Sequence, residues 1–382
     1  MRASSERCSA MHEHQTFAED VAELALEQYA DKTIDRRTLV KALGMLGLAP
    51  VFFKSGAAFG QVKELVVVNW GGPAIKAYQN AFGKPFEKKT GIKIVIDGTG
   101  PGAGKVRAMV DAKNVTWDVL DAGVGTALLL GSKGYLEAID YNIVDKSKVR
   151  PEFVYKWGIS DYLFSFVLTY DGKKLGDRKP TSWKDFWNVK DFPGKRLLRK
   201  NPIGQLECAL LGDGVPHDKV YPIDLDRALE KIREIKEHTV FWGSGSQSQQ
   251  FFMQGEVVMG NLWHNRSNLL RRDTKDRIQW TWTDGIVASG VWSVVKNNPG
   301  GKDAAMKFID FAIGDVDGQI ALFKVMSSGP ANPKATAMVP ADMRAYDPSQ
   351  PENYNKQVKF DAEWWGKNEI EAFERYRDVI SS

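Results

Sequence analysis

The clearest pattern of apolar and polar positions lies at residues 65–96. Residues 65–68 form an unbroken apolar run rich in Val, which suits a strand buried on both faces. Asn69-Trp70-Gly71-Gly72-Pro73 follows. Its glycines allow a left-handed turn and its proline fits the first turn of a helix. Ile75, Tyr78, Phe82 and Phe86 then recur every three or four residues and predict a helix with one apolar face. Thr90-Gly91 ends that helix, and residues 92–96 read as a second strand. A strand–helix–strand unit of this kind belongs to a parallel sheet, and open α/β sheets bind ligands at the carboxyl ends of their strands.

The alternation continues along the chain. Residues 97–105 are glycine-rich but do not form a phosphate loop. Thr99 stands where that motif needs Gly, and Val106 where it needs Ser or Thr. A loop and a helix over 105–112 are expected instead. A strand over 117–121 leads into a turn at Gly123-Val124-Gly125-Thr126, with a helix from about residue 128. Residues 166–284 read as a second α/β unit. It has strands at 166–170, 196–199 and 257–263 and helices at 183–187, capped by Ser182, at 206–211 and at 229–237. Gln247-Ser248-Gln249-Gln250 opens a further helix. A strand over 291–295, a helix over 303–313, a sharp loop at Ser327-Ser328-Gly329-Pro330 and a helical tail bearing Trp364, Trp365, Ile370, Phe373 and Tyr376 complete the pattern. The fold class is α/β.

The first 60 residues stand apart. They are polar at first, then carry Arg36-Arg37 with Leu39 and Lys41 behind them, a short apolar run over 43–53, and Ala57-Ala58-Phe59-Gly60. Charge, apolar run and small residues in that order predict a twin-arginine export signal cleaved near Gly60-Gln61. A periplasmic location and the twin-arginine machinery as a partner follow from it.

Composition narrows the function. The 382 residues carry 52 Lys and Arg against 48 Asp and Glu, with no basic stripe, so nucleic acid is not an expected partner. Of the two cysteines Cys8 falls in the leader, which leaves Cys208 alone. The five histidines are scattered without metal-ligand spacing. No cofactor, metal or catalytic residue is expected. Asp118 and Asp121 point to opposite faces of one strand, which suits acid–base work poorly; Asp118 is read as structural and Asp121 as facing the cleft.

Several motifs together resemble a known family. They are Asn69-Trp70, residues 87–94 (Glu-Lys-Lys-Thr-Gly-Ile-Lys-Ile), Trp117-Asp118-Val119-Leu120, residues 181–187 (Thr-Ser-Trp-Lys-Asp-Phe-Trp), Gly255-Glu256-Val257 and Gly329-Pro330-Ala331-Asn332. Their order and spacing are similar to those of extracytoplasmic solute-binding proteins of ABC importers, of the polyamine-binding type. The resemblance implies the two-lobed type II periplasmic-binding-protein fold. Lobe 1 would comprise 61–165, with 285–330 returning to it. Lobe 2 would comprise 166–284, with the 331–382 helices packed on the body, mostly on lobe 2. Strands would cross between the lobes near 164–167 and 284–290. The resemblance also implies a small-molecule ligand, an ABC permease in the inner membrane as partner, and a monomer.

Carried over, the ligand positions are Trp70, Gly71, Gly72 and Pro73; Gly123 and Gly125; Asn201 and Gly204; Trp242 and Ser244; Trp263, His264 and Asn265; Ser289 and Gly290; and Ser328, to which the residues themselves add Asp121 at its strand end and Arg266 beside Trp263. Polyamine binders of this type use acids and tyrosines where this chain has Gly71, Gly72, Gly123, Gly125 and Gly204. Bare helix N-termini there, with Arg266 and His264 near by, favour an anion. Asp121 and Asp161, if both line the cleft, leave room for one ammonium; Arg199 is either a surface residue or a ligand contact. The expected ligand is therefore a small carboxylate-bearing or zwitterionic amine. A true spermidine or putrescine receptor and an exported two-lobed enzyme remain the alternatives.

Overall fold

The computed structural model describes residues 62–382. The leader, with Arg36-Arg37 and the expected cleavage near Gly60-Gln61, lies outside the described residues.

Strand β1 (Glu64–Val68) is followed by the Gly71-Gly72 turn, both glycines at positive φ, and by helix α1 (Pro73–Tyr78). The helix expected to run unbroken to Thr90 comes in three pieces: α1, a π-type turn at Gln79–Gly83, and α2 (Lys84–Thr90). Pro85 has no N–H to donate back to Ala81, so a regular α-helix cannot continue through it. Gly91, at φ 76°, ends α2 and turns the chain into β2 (Lys93–Asp97).

Strand β3 spans Val119–Gly123, two residues later than the pattern predicted. Helix α3 (Val124–Ser132) starts at once, so Gly125 lies in its first turn rather than in a separate loop. Asp118 is the reason for the late start. Its carboxylate accepts from Val66 N at 2.7 Å and Gly300 N at 2.6 Å, and so pins the chain before the strand begins.

The remaining long strands are β4 (Gly158–Asp171), β5 (Arg196–Arg199), β6 (Thr239–Trp242), β7 (Met259–Trp263) and β8 (Ile278–Val295). Helix α4 (Gln205–Gly212) follows β5, α5 (Gly245–Met253) follows β6, α6 (His264–Asp273) follows β7, and α7 (Ala362–Ser381) closes the chain. The long strands form one sheet in the order β2-β1-β3-β8-β4-β7-β5-β6. The flanks β2-β1-β3 and β7-β5-β6 are each parallel. Between them β8 and β4 pair antiparallel, along 14 and 18 residues of strand respectively for β4 and β8, and hold the two flanks together.

Each flank buries its own core. One gathers Val67, Tyr78, Phe82, Phe86, Trp292 and Phe308; the other gathers Phe166, Trp183, Phe186, Leu206 and Ile232. Each such large side chain contributes about 1.5–3 kcal/mol when fully buried, so each flank has the means to hold its own shape. That gives two lobes on a shared pair of strands. Trp70 follows β1, Asp121 lies within β3, and Arg199 and Trp263 end β5 and β7.

The β8–β4 pairing has a fault that matters. Gly290 faces Tyr162, but the next residue, Val291, faces Ser160. Asp161 is thus the extra residue of a β-bulge, a device that re-aims side chains. Gly290 is needed beside it: a Cβ there would lie 2.5 Å from the Tyr162 ring.

Candidate functional site

On lobe 1 the bulge brings two carboxylates together. Asp121 lies in the middle of β3 and is 1% exposed; Asp161 on β4 is 2% exposed. The Tyr78 hydroxyl donates to Asp161 Oδ2 at 3.3 Å, and Tyr162 N donates to Asp161 Oδ1 at 3.0 Å. Asp121 Oδ1 is buried with no hydrogen-bond partner. Burial raises the Asp121 pKa to about 7, although Tyr78, Trp70 and Tyr162 pull it down in part. Burial raises Asp161 well above the carboxylate range, and the charge of Asp121 raises it further. Trp70 stands over this group from the end of β1 and is 57% exposed, unusual for a tryptophan without a role at a surface. Two buried acids beside Trp70, Tyr78 and Tyr162 are chemically suited to a cation: carboxylates pair with an ammonium, and aromatic faces attract it.

Lobe 2 presents the opposite charge. Arg199, at the end of β5, lies with its guanidinium 4.8 Å from the Trp263 ring centre and 5.4 Å from that of Trp242. Its Nε is buried and has no partner. Arg266, in the first turn of α6, donates from Nη1 to Gln249 Oε1 at 3.1 Å, while its own Nε is unpartnered. Gly245 makes room for it, since a Cβ at that position would lie 2.7 Å from Arg266 Nε. Burial lowers the Arg199 pKa to about 10 and lowers that of Arg266 as well, which leaves both guanidinium groups charged at neutral pH. Among the described residues neither has a carboxylate within the 4.0 Å of an ion pair. A stacked guanidinium with free donors is suited to grip a carboxylate through two parallel bonds.

The structure gathers some of the expected positions and disperses others. Trp70 lies beside Asp121 on lobe 1, and Gly71 and Gly72 form the turn that follows it. Gly71 N donates to Asn69 Oδ1 at 2.9 Å, and a Cβ on Gly71 would lie 2.5 Å from Gly98 O, so only glycine fits this turn. Gly123 caps α3 and faces Gly290 across the sheet. Trp263 lies under the Arg199 guanidinium on lobe 2, and Arg266 and Trp263 both border Gly245. Asn201 accepts from Ile203 N at 2.9 Å, and Ser244 caps α5 by accepting from Gln247 N at 3.2 Å, so both carbonyl and hydroxyl serve the local backbone. Ser289 Oγ is buried without a partner on β8, and Ser328 is buried beside the Gly329–Pro330 strand that pairs with Leu163 and Tyr162.

Three expectations are corrected. Trp242 is fully buried and its Nε1 donates to Asn261 O at 3.1 Å, so it backs the Arg199–Trp263 stack from within the lobe instead of touching a ligand. His264 is also fully buried: Nδ1 accepts from Ser165 N at 3.1 Å and Nε2 donates to Ser327 O at 2.6 Å. Burial lowers its pKa to about 4, so it is neutral and adds nothing to an anion site. Gly125 faces α7, where a Cβ would lie 3.5 Å from Glu369 Oε2; the protein's own carboxylate stands over the helix start expected to receive an anion. The acids and tyrosines absent at Gly71, Gly72, Gly123, Gly125 and Gly204 have counterparts elsewhere, Asp161 among them as the sequence allowed. Tyr78, Asp161 and Tyr162 supply them from other positions. The sequence signal for Asp161 was an acid within the apolar run around Ile159 and Leu163; Tyr78 carried no signal apart from its place on an apolar helix face.

Two lobes on a crossing strand pair, with acids on the strands of one and arginines at or just past strand ends of the other, are the architecture of a receptor for a small solute. The comparisons agree. A model of the family described as bacterial extracellular solute-binding protein matches residues 81–347, and the chain belongs to that family. It is the solute-binding receptor of an ABC transporter, and its function is binding and delivery rather than catalysis. Over 358 residues it is 32% identical to a gamma-aminobutyric acid-binding protein of Pseudomonas aeruginosa, covering 92% of this chain and 97% of that one. Its fold is similar to that of the Atu4243 GABA receptor, with a TM-score of 0.77 and 33% identity over 83% of this chain and 98% of that one. It is likewise similar to the binding protein MotA from A. tumefaciens B6 in complex with glucopine, with a TM-score of 0.75 and 31% identity over 83% and 99%.

Proposed function

We propose that this receptor captures a small zwitterion bearing an ammonium and a carboxylate, of the γ-aminobutyrate or opine kind. The observation that carries the reading is the polarity of the cleft: Asp121 and Asp161 among Trp70, Tyr78 and Tyr162 on one lobe, Arg199 and Arg266 on the other. A ligand with both charges satisfies both lobes only when they close on it, which makes affinity depend on closure. The relatives named for γ-aminobutyrate and glucopine support this, since both molecules join an amine to a carboxylate. A diamine would satisfy the acids but would bring a second cation to the arginines, so spermidine and putrescine are the weaker reading of the same fold.

In this proposal Gly71, Gly72 and Gly123 shape the mouth of the ammonium receptacle, and Trp263 orients Arg199. Lobe 1 takes in 61–165 and 285–330, and lobe 2 takes in 166–284 with most of the tail. The Arg36-Arg37 leader directs twin-arginine export to the periplasm, where the receptor acts as a monomer on an inner-membrane permease. The test is calorimetric titration with γ-aminobutyrate, other ω-amino acids, an opine, putrescine and spermidine. Micromolar or tighter binding of zwitterions with weak diamine binding is expected. Tight spermidine binding with no response to any zwitterion overturns the reading.

A further inference from the structure

The acid pair has a charge problem that the protein does not solve with its own cations. Asp121 and Asp161 are both buried, and no lysine, arginine or histidine among the described residues comes within 4.0 Å of either. The groups that face them are Tyr78 from α1, Trp70 from the end of β1, Tyr162 from β4 itself, and Trp292 from β8, which stands opposite Asp121 in the sheet. All are neutral at ordinary pH, and burial together with the acids pushes the Tyr78 and Tyr162 hydroxyls well above their usual range. The Tyr78 hydroxyl has one hydrogen and gives it to Asp161, which leaves Asp121 Oδ1 with nothing. Two buried carboxylates that cannot both be ionised without a counter-charge share a proton.

We propose that the empty receptor holds one proton on the Asp121–Asp161 pair and that the ammonium group of the ligand displaces it, so that each capture releases a proton to the solvent. This rests on the reading of that pair as the ammonium receptacle. The exchange balances. Before binding the pair carries two carboxylates and one proton, a net charge of −1; afterwards it carries two carboxylates and one ammonium, again −1. The buried charge stays constant, and that constancy is what makes a site without a fixed cation workable. It also ties capture to pH. Below the pH at which the pair loses its proton, ligand must compete with protons, and affinity falls about tenfold for each further unit of acidification.

Two measurements decide it. Calorimetry with γ-aminobutyrate near pH 8, where Asp121 is ionised and Asp161 keeps its proton, counts protons in buffers of different ionisation enthalpy. Release approaching one per ligand is expected there, rising below about pH 7 as Asp121 takes up a proton too. Infrared difference spectroscopy of the ligand-free receptor is expected to show a protonated carboxyl band near pH 8 that disappears on addition of γ-aminobutyrate. The band should be absent from the Asp121→Asn/Asp161→Asn variant; should that variant not fold, the proton count on the unaltered receptor still decides. Binding with no proton release near pH 8, or no carboxyl band there, overturns the proposal while leaving the zwitterion reading intact. Failure of γ-aminobutyrate and every other ω-amino acid to bind at any pH overturns the zwitterion reading instead, and the band then decides alone whether the pair holds a proton.

Discussion

Replacing Asp121 by Asn removes one charge of the buried pair and keeps its shape, and the structure fixes the direction of every consequence. Burial moves the Asp121 pKa from 3.8 to about 7. A displacement of roughly three units corresponds to about 4 kcal/mol of differential interaction, at about 1.36 kcal/mol per unit. The folded-state pKa lies above the unfolded one, so between the two the folded protein binds more protons, and stability falls as pH rises through that window. The cost of the native acid is therefore largest above about pH 7 and disappears below about pH 4. Asn carries no charge and avoids it, but its buried amide loses about 1–3 kcal/mol if it finds no partner. Tyr78 and Tyr162 are within reach to supply one. The variant is expected to gain about 1–3 kcal/mol at pH 8 and about 2–3 kcal/mol less than that at pH 5. For a protein of this length the gain at pH 8 shifts Tm by a few degrees. Binding should move the other way, with γ-aminobutyrate affinity lost by a factor of about 100 or more as half the ammonium's counter-charge goes. Thermal unfolding of the ligand-free variant and parent at both pH values, with calorimetric titration beside it, measures both effects. A variant destabilised equally at both pH values, or one that binds like the parent, refutes the reasoning.

Further predictions concern the rest of the cleft, the crossing and the leader. Arg199→Ala should leave the fold intact and weaken zwitterion binding by about 1.5–3 kcal/mol, the worth of a charge-assisted contact, with propylamine binding unchanged by comparison; calorimetry reads both. Gly290→Ala puts a Cβ 2.5 Å from the Tyr162 ring and should displace that ring, which costs about 1–3 kcal/mol of stability and lowers affinity even though position 290 need not touch ligand. His264 is held neutral with a pKa of about 4, below the 6.5 of the free side chain. The unfolded chain therefore binds more protons between those values, stability falls as pH drops through them, and His264→Gln should flatten that acid limb in urea titrations. Arg36→Lys with Arg37→Lys should hold the precursor in the cytoplasm, as cell fractionation would show; normal delivery to the periplasm would refute the export reading.

Much of the architecture was legible in the order of residues because backbone periodicity is a local property. A Val-rich run such as 65–68 is a strand in nearly any setting that buries it, and Gly-Gly-Pro after it dictates a turn into a helix. The family motifs placed these units in sequence and predicted the class of function, and they pointed to Trp70 and Trp263, while Asp121 and Arg266 were singled out from their own places in the chain. Composition alone disfavoured nucleic acid and thiol chemistry.

What the chain order could not show is which side chains meet across it. Asp161 and Asp121 are far apart in sequence and adjacent only because a bulge in β4, opposite Gly290 and Val291, re-aims one of them. Tyr78 looked like core on its helix face, and it is core, yet its hydroxyl emerges against Asp161. Trp242, His264 and Gly125 carried the right motif positions and were turned inward by hydrogen bonds and packing partners on other elements. Local pattern determined the strands, the helices and the turns, since those depend on neighbours a few residues away. The charge of the cleft, acidic on one lobe and basic on the other, was decided by tertiary structure, because burial and register set both which groups face each other and what it costs to leave them charged.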